Sequence, residues 1–251
     1  MDRSQQLSVI TPVSRPALLP LIAPSVPRKC EWILVTDGPQ DIPPGLRPHV
    51  LIEGPETRRW GDVQRQIGLE AATRPFVYFL DDDNLMLPTL AELVIPCLEA
   101  GDRAGAVFGL LFHHRGEFGF YIWPPPMRIE RARVDTAMFI GRTEAARRIR
   151  WPNIHSGGWP HLEGKRCADF VFIHAFDETI GLLRLPAIYG FHDGLPAIRE
   201  SEPRAYAALE RDELTPEMLL GIIDRHVTRD RRAAVVEGPA GETLGEHASP
   251  T

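Results

Sequence analysis

The sequence predicts an α/β protein whose parallel sheet is covered by helices on both faces, followed by a region of mixed strands. Three observations predict it. Short β-branched runs alternate with amphipathic or proline-punctuated segments through the first hundred residues. These runs are apolar at nearly every position, as a strand buried on both faces requires. Several end in turn residues, Pro12, Asp37-Gly38-Pro39 and Gly54-Pro55, where a chain leaves a sheet.

In chain order, Leu7 to Thr11 reads as the first strand, closed by Pro12, and a connection broken by Pro16, Pro20 and Pro24 leads to a second strand over Glu31 to Thr36. His49 to Glu53 is a third. Between Gly61 and Thr73, Val63, Ile67 and Ala71 recur at four-residue spacing among charges, which predicts an amphipathic helix with those residues inward. Phe76 to Leu80 is a wholly apolar fourth strand that runs into Asp81-Asp82-Asp83-Asn84. Pro88 opens the next helix, with Leu90, Leu93, Val94 and Leu98 on its apolar stripe, a kink at Pro96 and an end at Gly101. Ala104 to Phe112, Phe118 to Trp123 and Arg133 to Ile140 predict further strands, and Asp169 to Phe176 an apolar segment, helical or extended. Thr215 and Pro216 open a last helix facing inward through Met218, Leu219, Ile222, Ile223 and His226. The expected division is a first half over residues 1–103, a second half of the same domain over 104–230, and a disordered tail over 231–251.

With 251 residues, 43% of them apolar and 25% charged, disorder over the whole length is excluded and a core can form without disulfides or a structural metal. Twenty-eight Lys and Arg against 34 Asp and Glu leave a net charge of −6, which argues against a nucleic-acid partner. Cys30, Cys97 and Cys167 are odd in number and lack a C-x-x-C pair, so no disulfide framework or zinc knuckle is readable, and a reducing compartment fits. The polar first eight residues lack a signal-peptide core. No run reaches the roughly 20 apolar residues of a spanning helix, so the expectation is a cytoplasmic protein without a transmembrane segment.

The chemistry centres on Asp81-Asp82-Asp83. Adjacent carboxylates at the end of a buried strand repel one another unless a cation or hydrogen-bond donors compensate. In open α/β sheets the carboxyl ends of the strands are also where ligands bind. A hard divalent ion shared with a diphosphate would meet the cost; so would a solvated acidic turn at the start of the next helix.

Four segments occur in fixed order: Leu7-Ser8-Val9-Ile10-Thr11-Pro12, Trp32-Ile33-Leu34-Val35-Thr36-Asp37-Gly38, Gly61 to Leu69, and Tyr78 to Asn84. Together they resemble the nucleotide-sugar half of glycosyltransferases with the GT-A fold, above all the proteoglycan-linker glucuronyltransferases and, more broadly, the inverting family-2 enzymes. The resemblance implies a Rossmann-like sheet over residues 1–103 that binds a nucleoside-diphosphate sugar, typically a UDP-sugar, and an acceptor-binding half over 104–230. It implies Pro12 and Arg15 in the loop over the nucleotide, Asp37 on the base, and Arg65 at the donor loop or diphosphate. Asp81 would face the ribose or a metal-bound water, Asp82 belongs to the same D-x-D run, and Asp83 would bind Mn²⁺ or Mg²⁺. Gln66 stands where this pattern has Asn, and Trp60, beside Arg59, where the linker-type enzymes have arginine. His192, in Tyr189 to Gly194, resembles a late histidine that reaches the metal or diphosphate; it equally fits a hydrogen-bonded turn.

Displacement at an anomeric carbon needs a carboxylate to take the acceptor's proton. Asp169, in Cys167-Ala168-Asp169-Phe170, stands as the base stands in the family-2 E-D motif, with Ala168 in place of the first acid, and a helix cap is its competing role. Glu163 is the rival base. Trp159, beside Gly158, is the aromatic candidate for the acceptor, whereas Trp151 reads first as core. His155, His161, Glu163 and His174 lack the spacing of a helical metal site. The combined expectation is a metal-dependent, inverting, hexosyltransferase-like enzyme acting on a small-molecule or glycan acceptor; a homodimer is compatible with it. Two other readings stay open. One is a sugar-phosphate nucleotidylyltransferase, disfavoured because Thr11 to Pro16 contains no glycine for a phosphate loop. The other is a non-catalytic nucleotide-sugar or glycan-binding module. Replacing Asp37 by Ala is expected to leave the fold intact, since a turn Asp has little packing to lose.

Overall fold

The computed structural model describes residues 2–57, 61–112, 121–123, 125–130, 134–152, 168–192, 198–199, 202–211, 213, 215 and 217–226. Residues 58–60, 153–167 and 231–251, and with them Arg59, Trp60, Trp159, Glu163 and the expected tail, lie outside the described residues. Nine strands among the described residues form one sheet: β1 (Leu7–Val13), β2 (Glu31–Asp37), β3 (Val50–Gly54), β4 (Phe76–Phe79), β5 (Leu85–Met86), β6 (Gly105–Phe112), β7 (Tyr121–Trp123), β8 (Phe139–Arg142) and β9 (Leu182–His192). Their order is β3-β2-β1-β4-β8-β6-β9-β5, with β7 beside β6. The first four strands are mutually parallel. β8 then runs antiparallel to both β4 and β6, while β9 runs parallel to β6. The chain builds outward from β1 to β3 and returns to the other side of β1 for β4. That reversal opens a crevice beyond the carboxyl ends of β1 and β4.

Alternation along the strands divides the core in two, because successive side chains point to opposite faces. Leu7, Val9, Phe76 and Tyr78 join one cluster with α1 (Leu19–Ile22), α3 (Leu90–Ala100), the helix Pro203–Glu210 and residues 217–226. Ile10, Val77 and Phe79 join the other, with α2 (Asp62–Ala71), α4 (Thr143–Ile149) and α5 (Ala168–Thr179). Both faces of the parallel half are covered, as the continuous apolar runs predict. No helix among the described residues is long and apolar enough to cross a membrane.

Several expectations change. β1 runs through Pro12 to Val13. Ile10 faces β4, since its carbonyl accepts from Leu80 N–H, and Pro12 faces the same way two residues on, past the last paired residue of β4, where its missing N–H costs no ladder bond. The stripe of α3 is Leu90, Ala91, Val94, Ile95 and Leu98; the helical period sets Leu93 off it, 38% exposed. Of the expected strand Arg133 to Ile140, the described residues from Val134 on are not one strand. The carboxylate of Asp135 accepts from Ala137 N–H at 2.8 Å, caps a 3₁₀ turn over Thr136–Met138, and delays the strand to Phe139. β9 has no counterpart in the sequence reading, because Pro186 and Gly190 interrupt its pattern; its register against β6 shifts between Val107 and Gly109, around Pro186.

The largest correction concerns α2. Val63, Ile67 and Ala71 are only half-buried, and the fully inward face is Asp62, Gln64, Arg65, Gly68 and Leu69. Two glycines let this polar face approach β1. A Cβ on Gly68 would meet Ile10 Cγ2 at 2.4 Å, and one on Gly61, at φ 81°, would meet Pro12 Cβ at 2.7 Å. Arg147 of α4 then holds the far end of α2, donating to the carbonyls of Leu69 and Glu70 at 2.9 Å and also to that of Ala72. Gly68→Ala should therefore lower stability by about 1–3 kcal/mol in urea unfolding, because the fully buried Ile10 cannot retreat.

Candidate functional site

A cavity of about 480 Å³ occupies the crevice, within the size range of small-ligand sites. It is lined by Pro12, Val13, Ser14, Arg15, Asp37, Gln40, Glu56, Gly61, Gln64, Arg65 and Asp81. Five of the residues singled out in the sequence, Pro12, Arg15, Asp37, Arg65 and Asp81, thus share one wall system.

Asp37 ends β2. One carboxylate oxygen accepts from Thr57 N–H at 2.6 Å, Thr57 Oγ1 at 3.0 Å and Gln64 Nε2 at 2.8 Å. It is therefore not a loosely held turn residue: it ties the segment after β3 to the buried face of α2. Gln40 closes the same end, its Nε2 donating to the carbonyls of Val13 and Asp37 at 3.2 Å.

Asp82 clamps the loop after β1. Oδ2 accepts from Ser14 N–H at 2.7 Å, Ser14 Oγ at 3.0 Å and Arg15 N–H at 2.7 Å; Oδ1 accepts from Arg15 Nε at 2.9 Å and from its Nη2. Asp82 is buried and absent from the described cavity lining. Arg15 Nη1 lies 2.7 Å from Asp83 Oδ2, so one guanidinium spans two members of the triplet. Burial alone would weaken the charge on Arg15, but Asp82 and Asp83 outweigh it and fix the cation.

Asp81, the third member, faces the cavity and pairs with Arg65 Nη2. Arg65 also lies 3.9 Å from Asp62 Oδ1 and rests over the ring of Trp151, 5.2 Å from its centroid. Burial works against its charge, and Asp81, Asp169, Asp62 and Asp135 together overcome that. Burial pushes the Asp81 carboxyl up despite Arg65, and Asp135 and Asp82 push it further.

His192 arrives at the carboxyl end of β9, opposite Phe112 of β6, and its Nε2 lies 3.2 Å from Asp135 Oδ2. Burial would raise the Asp135 carboxyl, but His192 and the Ala137 N–H hold it below the usual range. Asp169 lies in the first turn of α5, which Val171, Phe172, Ile173 and Phe176 bury. Its burial, opposed by Arg65 and reinforced by Asp135, Asp81 and Asp62, raises its carboxyl to about 7. Asp81, Asp135, Asp169 and His192, remote in sequence, thus act on one another electrostatically at one end of the sheet.

Among the described residues no three His, Cys, Asp or Glu side chains converge as a ready-made ion site. A magnesium-like ion needs no such cage, since it takes one or two carboxylates and completes its shell with water and phosphate oxygens. Asp81, which faces the cavity and whose carboxyl burial and the neighbouring carboxylates of Asp135 and Asp82 push up, fits that role. Asp62, Gln64 and Asp135 are absent from the sequence reading. The first two lie off the Val63, Ile67 and Ala71 spacing that marks the helix, and Asp135 lies inside an expected strand; an Asp in an otherwise apolar strand is the available signal.

Asp37→Ala removes three accepted hydrogen bonds beside the fully buried Gln64, so unfolding stability should fall by about 1–3 kcal/mol, read by urea denaturation. Asp169 carries the opposite expectation. Its folded pKa lies above its unfolded value, so the native state binds the extra proton between about pH 4 and 7, and stability from this group falls as pH rises through that window. Asp169→Asn should therefore stabilise the protein at pH 8 by about 1–3 kcal/mol, with the gain vanishing near pH 4. Paired unfolding curves at the two pH values check this.

No protein-family model and no curated protein matches the sequence. Among solved structures, the chain is similar to residues 1–349 of TarS from S. aureus, with a TM-score of 0.53 at 15% identity, over 93% of this chain and 75% of that one. The same TarS segment in complex with UDP gives 0.53 at 16% identity, over 94% and 76%. In complex with UDP-GlcNAc it gives 0.51 at 14%, over 94% and 76%. At these identities the likeness shows the fold, an α/β sheet of the GT-A kind that extends into the mixed second half.

Proposed function

We propose that this chain is a glycosyltransferase that moves a sugar from a UDP-sugar to an acceptor hydroxyl by a single inverting displacement. The observation that carries the reading is the cavity at the strand reversal, whose lining brings together Asp37, Arg15, Arg65 and Asp81. A lining that offers a carboxylate acceptor and two guanidiniums suits the base and the diphosphate of a nucleoside diphosphate. The likeness in fold to TarS, solved in complex with UDP and with UDP-GlcNAc, supports the same choice of donor.

In this reading Asp37 meets the base, and Arg15 and Arg65 hold the diphosphate by charge-assisted hydrogen bonds. Asp169 takes the proton from the acceptor hydroxyl as its oxygen attacks the anomeric carbon, and the electron pair of the breaking C–O bond leaves with UDP. A carboxyl near 7 suits that role at neutral pH. His192, held by Asp135, stands toward the leaving diphosphate. Asp81 and Asp83 are the residues that would hold a divalent ion, Mn²⁺ or Mg²⁺, which when bound neutralises the departing charge. Glu163 and Trp159 remain candidates for the acceptor side.

Nucleotidylyl transfer fits less well. The Ser14 and Arg15 N–H groups, which a phosphate loop would present to its ligand, are both donated to Asp82.

The test joins binding to turnover. UDP with Mn²⁺ should raise the melting temperature more than UDP alone, and Asp81→Asn should erase the difference. Asp169→Asn should keep UDP binding while lowering transfer by about two to four orders of magnitude. UDP binding without transfer or donor hydrolysis by the wild-type chain would favour a binding module instead.

A further inference from the structure

Trp151 follows α4 and is 4% exposed, which on first reading makes it a core residue. Its contacts are more specific than packing demands. The guanidinium of Arg65 lies over its ring at 5.2 Å. Its Nε1–H donates to Asp62 Oδ1 at 3.3 Å, and its backbone N–H to Gln66 Oε1 at 2.6 Å. The same ring stacks on Phe172 of α5, centroids 4.6 Å apart at 28°, and packs against Phe79 of β4 at 5.0 Å. Phe172 is three residues beyond Asp169, and Phe79 two residues before Asp81. One indole therefore touches α2, which carries Arg65, β4, which leads into Asp81, and α5, which carries Asp169.

The backbone supports the same conclusion. Arg150, at φ 63° and ψ 144°, is the one non-glycine position of positive φ among the described residues. A side-chain-bearing residue rarely adopts that conformation, and here it sits where the chain turns the Trp151 N–H onto Gln66. A ring present for apolar packing alone needs neither a bond to a buried carboxylate nor a cation on its face. Together these contacts leave Arg65 little freedom to swing away from Asp81, since a desolvated cation gains most from an aromatic face.

We propose that Trp151 is a positioning residue: its indole holds the Arg65 guanidinium at the cavity wall, against Asp81, in register with the helix that carries Asp169. The inference rests on the reading above that the cavity takes a nucleoside diphosphate. The experiment is calorimetric titration of UDP into the full chain as wild type, Trp151→Leu, Trp151→Phe, Arg65→Lys and the Trp151→Leu/Arg65→Lys double variant. Trp151→Leu should weaken binding about tenfold and Trp151→Phe about threefold. The double variant should bind as Arg65→Lys does, because the ring acts through the guanidinium. Losses that simply multiply would overturn the proposal. Trp151→Phe keeps an aromatic contact with Phe172 and carries the test if Trp151→Leu does not fold; binding equal to wild type would again overturn it. If the wild-type chain binds no UDP, it is the functional reading that fails, and the side-chain ¹⁵Nε signal of Arg65 then decides the role of Trp151. A shifted signal with faster proton exchange in Trp151→Phe sustains positioning, and an unchanged signal refutes it.

Discussion

The buried guanidinium of Arg65 is the point at which fold and cavity constrain each other. It carries one positive charge toward Asp62 on its own helix, Asp81 after β4, Asp135 before β8 and Asp169 on α5. Removing one partner from a buried ion pair typically costs about 3–5 kcal/mol, because the charge left behind has lost both water and counterion. The packing follows from that arrangement. α2 must turn a polar face inward, Gly61 and Gly68 must admit it against β1, and an aromatic platform must lie beneath the guanidinium. The apolar residues of α2 that mark it as a helix are consequently its half-buried ones.

The acidic triplet shows how local geometry separates chemically identical neighbours. Asp82 accepts five hydrogen bonds from two residues of the loop after β1 and becomes structural. Asp83 shares the Arg15 guanidinium. Asp81 has Arg65 on one side and the carboxylates of Asp135 and Asp82 near it, and it faces the cavity. A strand end can thus use one carboxylate to close a loop and leave another poised for a ligand. The short spacing of the triplet serves both purposes at once.

The parallel half was legible in the sequence because its signals are local: apolar runs such as Glu31 to Thr36 and turns such as Asp37-Gly38 need no distant partner to be read. Pro12, Arg15, Asp37 and Asp81 stand at or just beyond the ends of parallel strands, which converge at one edge, whereas Arg65 on α2 was placed beside them only by the resemblance. What escaped depends on pairing across long sequence separations. β9 follows β6 only by bulging around Pro186, and Asp135 matters only because β9 delivers His192 beside it. The inward face of α2 escaped for a related reason. Burial of Asp62, Gln64 and Arg65 is tolerable only with Trp151, Asp37 and Asp81 in place, and helical periodicity carries no information about partners.

Every described residue lining the cavity falls between Pro12 and Asp81, in the first third of the chain. It does not follow that this third could be grafted elsewhere. The carbonyls at the end of α2 are capped by Arg147, β4 is flanked by β8, and the ring beneath Arg65 comes from residue 151. An excised fragment would expose those dependencies to water. Point substitutions in the described cavity lining are confined to the first third, whereas transplantation of that third would have to carry its scaffold with it, and the unit of inheritance becomes the whole domain.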